Sequence, residues 1–127
     1  MHHVDVHVRS VPRVRQLLDA FMPLIGYTLR YEETDFVSYW RNGTRPAIGF
    51  IEDGTPVGNS PMRIAFSVEQ IADVDAAARA AVGAGARNVE GPAIHPEYGD
   101  DYYAVFFEDF DGNKFEIVHD STTCNCA

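Results

Sequence analysis

The sequence predicts one α+β domain made of two tandem β-α-β-β-β modules, at about residues 1–58 and 59–120, followed by a tail at 121–127. The length of 127 residues suits a single domain. A strand of alternating apolar residues and an amphipathic helix open the chain, and the same order returns about 60 residues later. We therefore expect each helix to cover one face of its sheet, so that the other faces can enclose a cavity.

The first module begins with a strand at 2–9, in which valines alternate with polar residues. Ser10 is suited to cap the helix that follows, and Gly26 to end it. Alternating apolar residues and turn signals then predict three strands, at 27–32, 36–41 and 46–52.

The second module repeats this order. A strand is expected at 63–68, and a stripe of small apolar residues predicts a helix from about Ile71 to Val82. Gly83 and Gly85 end that helix. Three further strands are expected, at 86–90, 102–108 and 114–119.

The charge balance excludes several kinds of partner. The net charge of −9 argues against nucleic acid or an anionic membrane as a partner, and no apolar run has the length of a membrane span. The first residues lack the basic and apolar regions of a signal peptide.

Cys124 and Cys126 both lie in the tail, so the body has no disulfide framework. We expect a cytoplasmic protein, and the role of the two cysteines stays open.

Glu116 is the first candidate for function, because it places a carboxylate between the apolar residues of the last strand. A charge there is costly unless water, a partner or a metal receives it. The repeat puts His3 and Arg63 on comparable strands, also opposite the apolar faces. Together they supply a ligand or base, a fixed cation and a carboxylate.

Several segments resemble the motifs of one protein superfamily. They are HVDVHV at 3–8, LIGY at 24–27, RIAF at 63–66 and DFDGNKFE at 109–116. The stretch PEYGDDYYA at 96–104 resembles a segment of one branch of small proteins. By these motifs the chain resembles the vicinal oxygen chelate superfamily, which contains glyoxalases, bleomycin resistance proteins and extradiol dioxygenases.

The resemblance implies a glyoxalase-like fold, in which the two modules form a curved mixed sheet around a central cavity. Members commonly bind one divalent metal ion there, through four ligands from the first and last strands of each module. The metal acts as a Lewis acid on a small-molecule substrate. Many members are homodimers, so we expect a small-molecule ligand and a homodimer.

This chain keeps two of the four implied metal ligands. The resemblance assigns His3 and Glu116 to the metal, whereas Arg63 stands in place of a histidine and Gly49 in place of a glutamate or histidine. Arginine stays protonated and only donates hydrogen bonds, so it does not bind a divalent cation. We expect Arg63 to form an ion pair with Glu116 where the metal would have been.

Three functions remain open at this point. The first, which we favour, is a protein that binds or transforms a small molecule in a cavity with a degenerate metal site. The acidic composition suits a cationic ligand and Arg63 an anionic one. The residues expected to line this cavity are Arg63, His7, Trp40, Tyr98, Tyr102 and Tyr103.

The second function is a metal-dependent lyase, isomerase or dioxygenase, in which His7 or His95 assists His3 and Glu116. One divalent metal ion is the only cofactor that these readings include. The third is a metal-free enzyme with His3 or Glu116 as base and Arg63 as the group that stabilises charge. Aromatic residues are also typical of a core, and His119, on the apolar side of the last strand, is expected to be structural.

Overall fold

Residues 1–54 and 60–121 are described in the computed structural model. The first module consists of β1 (His3–Val8), α1 (Val11–Phe21), a 3₁₀ helix (Met22–Ile25), β2 (Tyr27–Glu33), β3 (Phe36–Arg41) and β4 (Thr44–Glu52). The second consists of β5 (Arg63–Ser67), α2 (Ile71–Gly83), β6 (Arg87–Ile94), β7 (Tyr103–Glu108) and β8 (Lys114–His119). The predicted tandem β-α-β-β-β fold is confirmed.

Two strands differ from the prediction by two residues or more at one end. β4 begins at Thr44 rather than at 46, and β6 extends to Ile94 rather than ending at 90. Pro46 and Pro92 lie inside these strands, and prolines normally indicate a strand end or an edge. The predicted module boundary near 58 and both tail cysteines lie outside the described residues.

Local capping positions the first helix. The Ser10 hydroxyl oxygen accepts the Arg13 N–H at 3.2 Å, as expected of an N-cap residue. Gly26 closes the following 3₁₀ helix with a φ of 86°, a conformation that favours glycine. Within the described ranges, no helix is long and apolar enough to cross a membrane.

Each module forms its own four-stranded sheet, with the strand orders β1-β4-β3-β2 and β5-β8-β7-β6. The first and last strands of each module pair in parallel, and the other neighbours pair antiparallel. Asp5 pairs with Gly49 in the first sheet, and Glu116 pairs with Ala65 and Phe106 in the second. Because directly paired residues share a face, this register decides which side chains can form a site.

One hydrophobic core serves both modules. Phe21 of α1 packs edge-on against Phe66 at 6.4 Å and Phe107 at 5.2 Å, which belong to the second sheet. Phe50 of the first sheet contacts Phe115 of the second at 6.2 Å. The helix-facing sides of both sheets and both helices thus belong to one buried cluster. The opposite faces, here called the first and second outer faces, point away from this core.

The acidic turn before β8 joins the two modules. Asp109 is fully buried, and one of its carboxylate oxygens accepts the backbone N–H groups of Asp111 and Asn113, both at 2.9 Å. The Asn113 amide donates to the other Asp109 oxygen at 2.8 Å and to the His7 carbonyl at 3.0 Å. Burial raises the pKa of Asp109, against the opposing effect of these hydrogen bonds. The motif therefore fastens the turn to β1.

Candidate functional site

Glu116 lies on the second outer face and is 5% exposed. The Tyr102 hydroxyl donates a hydrogen bond to its carboxylate. Burial, followed by this hydrogen bond, raises the pKa of Tyr102 well above its ordinary value. The phenol therefore keeps its proton at neutral pH and acts as the donor. The costly carboxylate identified in the sequence is satisfied by a tyrosine of the same module.

Arg63 does not form the expected ion pair with Glu116. Its guanidinium lies 4.6 Å from the centre of the Phe106 ring, in the geometry of a cation–π interaction. Phe106 is the cross-strand partner of Glu116, and Arg63 pairs with Lys114, two residues before Glu116 on β8. The guanidinium lies over the Phe106 ring, and the carboxylate accepts the hydrogen bond of the Tyr102 hydroxyl. Arg63 also lines a cavity of about 70 Å³ on this face.

An aromatic cluster covers the Glu116 end of this face. The Tyr98 and Tyr102 rings lie 5.3 Å apart, and the His95 ring lies 5.8 Å from Tyr98 and 5.1 Å from Phe106. The buried His95 Nε2 has no hydrogen-bond partner in the described part of the chain. Tyr98 is 61% exposed, so the cluster has a rim accessible to a ligand.

Tyr103 is not part of this face, contrary to the prediction. Side chains alternate along β7, so Tyr103 lies on the helix side and donates to Asp75 of α2 at 2.6 Å. His119 lies on the same side, with its Nδ1 3.1 Å from the Val68 carbonyl, in agreement with a structural role.

The first outer face carries His3. Its Nε2 lies 3.4 Å from the Asp5 carboxylate, and its Nδ1 lies 2.9 Å from the Nδ1 of His2. Gly49 lies beside them. A Cβ atom on Gly49 would lie 2.5 Å from the Asp5 carboxylate and 2.9 Å from the Phe36 ring. The space that a larger residue would need at this position is already filled.

His7 lies at the far end of β1 from His3, with its Nδ1 2.5 Å from the Asp53 carboxylate. It lines a cleft of about 170 Å³ between the modules, together with Asp5, Asn113 and Lys114. The Lys114 ammonium donates to the Ser60 carbonyl. This cleft shares Asp5 with the cavity lined by His3 and Lys114 with the cavity lined by Arg63.

Trp40 also lies on the first outer face, where sequence reasoning missed its neighbours. The guanidiniums of Arg30 and Arg45 lie 5.4 and 5.8 Å from its ring. The two arginines come from β2 and β4, so only the strand pairing brings them together. Side chains alternate along a strand, so the positions of the two arginines in β2 and β4 could have predicted that they face the same side as Trp40.

The geometry described here agrees with the comparisons to known proteins. The sequence profile of the Glyoxalase/Bleomycin resistance protein/Dioxygenase superfamily matches residues 2–117. The chain belongs to this superfamily. No match is found among curated proteins.

Solved structures of superfamily proteins share the fold. A glyoxalase/bleomycin resistance protein from Albidiferax ferrireducens is 21% identical, with a TM-score of 0.80 over 94% of this chain and 98% of that one. A putative glyoxalase from Bacillus halodurans is 23% identical, with a TM-score of 0.72 over 94% and 95%. A mutant of the fosfomycin resistance protein FosX from Listeria monocytogenes, complexed with Mn(II) and 1S,2S-dihydroxypropylphosphonic acid, is 16% identical, with a TM-score of 0.70 over 92% and 86%.

The four positions where superfamily members hold a metal do not fit a metal here. Arg63 has no free electron pair to offer, and Gly49 has no side chain and no room for one. Of the two remaining donors, Glu116 is bonded to Tyr102 and His3 contacts Asp5. Across residues 1–54 and 60–121, no group of three or more His, Cys, Asp or Glu side chains could hold a metal ion.

Proposed function

We propose that this protein binds a small molecule on its outer sheet faces without the four-ligand metal site that the resemblance implies. The observation that carries the proposal is the hydrogen bond from Tyr102 to the buried Glu116. The carboxylate that would bind a metal is instead held by a neutral donor. The neighbouring Arg63 is a permanent cation, which disfavours a second cation nearby.

The two outer faces supply different parts of a ligand site. The second offers the guanidinium of Arg63, the exposed edge of Tyr98 and the Tyr102–Glu116 pair. The first offers Trp40 and His3. Aromatic rings supply contact area together with a hydrogen-bonding edge. These groups suit a small molecule that combines a flat apolar part with polar substituents.

A homodimer is part of this proposal. The outer faces point away from the shared core of one chain, so a second copy is needed to place a first and a second outer face opposite each other. The edge strands also expose apolar side chains, with Leu29 and Tyr31 on β2 42% and 47% exposed and Ile94 on β6 47% exposed. A second copy packed against these strands would remove this apolar surface from water.

Metal analysis and ligand screening together test the proposal. Protein purified without a chelator should contain no stoichiometric nickel, zinc or manganese, and titration with each should give no tight binding. A small-molecule screen in EDTA, monitored by thermal unfolding, should yield stabilising ligands. A ligand at 100 times its Kd adds about 2.7 kcal/mol to the free energy of unfolding. Tight metal that is lost in a His3→Ala variant would refute the metal-free part.

Variants on the second outer face locate the ligand. Arg63→Gln and Tyr98→Ala should weaken binding of any ligand found in the screen. Tyr103→Phe is the matched control, because this hydroxyl lies on the helix side of the same sheet and should leave the affinity unchanged. Sedimentation equilibrium should give twice the chain mass at the concentrations used for binding. A monomer that binds the ligand with full affinity would remove the dimer from the proposal. Cytoplasmic location stays a prediction.

A further inference from the structure

The first outer face contains a hollow at the His3 end of its sheet. The hollow has a volume of about 170 Å³. Three small residues on β3 and β4 lie in its lining, Ser38, Ala47 and Gly49. Asp5 and Phe36, which also belong to the lining, pack so closely over Gly49 that a Cβ at this position would collide with both.

Basic side chains dominate the polar lining of this hollow. They are His2, His3, Arg30 and Arg45. No carboxylate of the described residues lies within ion-pair distance of either arginine. Asp5 is the single acidic residue in the lining, and it faces His3 at 3.4 Å. The two guanidiniums thus contribute positive charge that no protein carboxylate cancels by direct contact.

Trp40 helps to hold the two arginines in place. Both guanidiniums lie within cation–π range of its ring, at 5.4 Å for Arg30 and 5.8 Å for Arg45. Stacking on a ring restrains a long side chain and leaves the edge of the guanidinium, with its N–H donors, directed elsewhere. The arrangement therefore resembles two prepared donors beside a small cavity.

The lining of the hollow contrasts with the acidic protein as a whole. The net charge is −9, yet the polar lining of the hollow has two arginines and two histidines against one carboxylate. Two permanent guanidinium charges at one small cavity favour an anionic occupant.

We infer that this hollow binds the oxyanion group, a carboxylate or a phosphate, of the small molecule. The guanidinium fork matches the geometry of an oxyanion and donates to it in pairs. The volume is small compared with drug-sized pockets, and it suits one anionic group at the end of a larger ligand. The inference rests on the proposed function and specifies its ligand class as anionic.

Inorganic phosphate is the probe that tests it, at constant ionic strength maintained with sodium chloride. Trp40 is the only tryptophan of the chain and contacts Arg30 and Arg45 of the lining, so its fluorescence reports on the hollow through these arginines. ¹H–¹⁵N spectra show which amides move. Phosphate should give saturable changes at residues of the hollow. Arg30→Gln and Arg45→Gln should each weaken phosphate binding about tenfold, the loss expected for a charge-assisted hydrogen bond.

Arg13→Gln is the matched control. Arg13 is exposed like Arg30 and Arg45, and it also lies over an aromatic ring, 4.6 Å from the centre of Phe110, but on α1. Its removal changes the net charge equally and should leave phosphate binding unchanged. The lysine variants Arg30→Lys and Arg45→Lys keep the charge and should retain more affinity than the glutamine variants. Urea unfolding confirms that each variant is folded.

Three results would overturn the inference. They are the absence of saturable phosphate binding, an equal loss in Arg13→Gln, and tighter binding of tetramethylammonium than of phosphate at the same site. Such a result leaves the proposed function standing if ligands from the EDTA screen still bind and depend on Arg63. If phosphate binds at the hollow and a metal also binds tightly at His3, the metal-free proposal is refuted and the inference of an oxyanion site stands.

Discussion

Removing the Tyr102 hydroxyl tests whether the buried Glu116 depends on it. In Tyr102→Phe the carboxylate, 5% exposed, loses the donor that it has in the structure. A hydrogen bond to a charged group contributes about 1.5–3 kcal/mol. Tyr102 itself is half-buried, so water can replace part of the bond, and we expect a loss of about 1.5 kcal/mol. For a chain of this size the melting temperature should fall by about 4–6 °C.

A double-mutant cycle separates this bond from other effects of the change. Urea unfolding is measured for the wild type, Tyr102→Phe, Glu116→Gln and the double variant. Glutamine keeps an acceptor but removes the charge, and a neutral hydrogen bond is about half as strong. Tyr102→Phe should therefore cost less in the Glu116→Gln background, with a coupling energy of about 1 kcal/mol.

Tyr98→Phe provides the control for this cycle. Tyr98 belongs to the same aromatic cluster but is 61% exposed, so loss of its hydroxyl should change stability by less than about 0.5 kcal/mol. Equal costs of Tyr102→Phe in both Glu116 backgrounds would show that the phenol does not satisfy the carboxylate. We would then conclude that no protein donor satisfies the Glu116 carboxylate.

Three further predictions concern other parts of the fold. Gly49→Ala should lower the free energy of unfolding by about 1–3 kcal/mol in urea titrations, because the new Cβ would lie 2.5 Å from the Asp5 carboxylate; an unchanged midpoint would contradict this. Tyr103→Phe should lower the free energy of unfolding by about 1 kcal/mol, because it removes the hydrogen bond to Asp75. An unchanged free energy of unfolding would show that this bond does not form in solution. The raised pKa of Asp109 means that the folded state binds more protons there than the unfolded state. The stability of the wild type relative to Asp109→Asn should therefore fall as the pH rises above about 4, the ordinary pKa of an aspartate, and a rise would refute the direction.

The fold could be predicted because its signals are local and repeated. Alternating valines in β1, the stripe of α1 and the glycines that end both helices each specify an element without tertiary contacts. The second module supplies an independent copy of the same pattern. The errors occurred at Pro46 and Pro92, where tertiary pairing keeps a strand going through a residue that usually interrupts one.

The site was less predictable, because its contacts depend on register and on side-chain reach. Arg63 and Glu116 lie on one face, but the guanidinium lies over Phe106 and the carboxylate accepts the Tyr102 hydroxyl, so the expected ion pair is absent. Tyr102 and Tyr103 are adjacent, so alternation does not allow both to face the same side of a strand; the structure places Tyr103 on the helix side, against Asp75. The cluster around Trp40 joins three strands of the first sheet. None of these contacts is visible as a sequence motif.

The four positions where a metal is implied each have a different environment, which supports the proposal that this protein binds its ligand without the four-ligand metal site. Restoring a glutamate at Gly49 would force Asp5 and Phe36 apart. A histidine in place of Arg63 would remove the cation over Phe106, but Glu116 would still be bonded to Tyr102. Each of these single substitutions thus leaves other positions of the set unsuited to a metal. This supports the proposal that the outer faces bind a ligand through arginine and aromatic side chains.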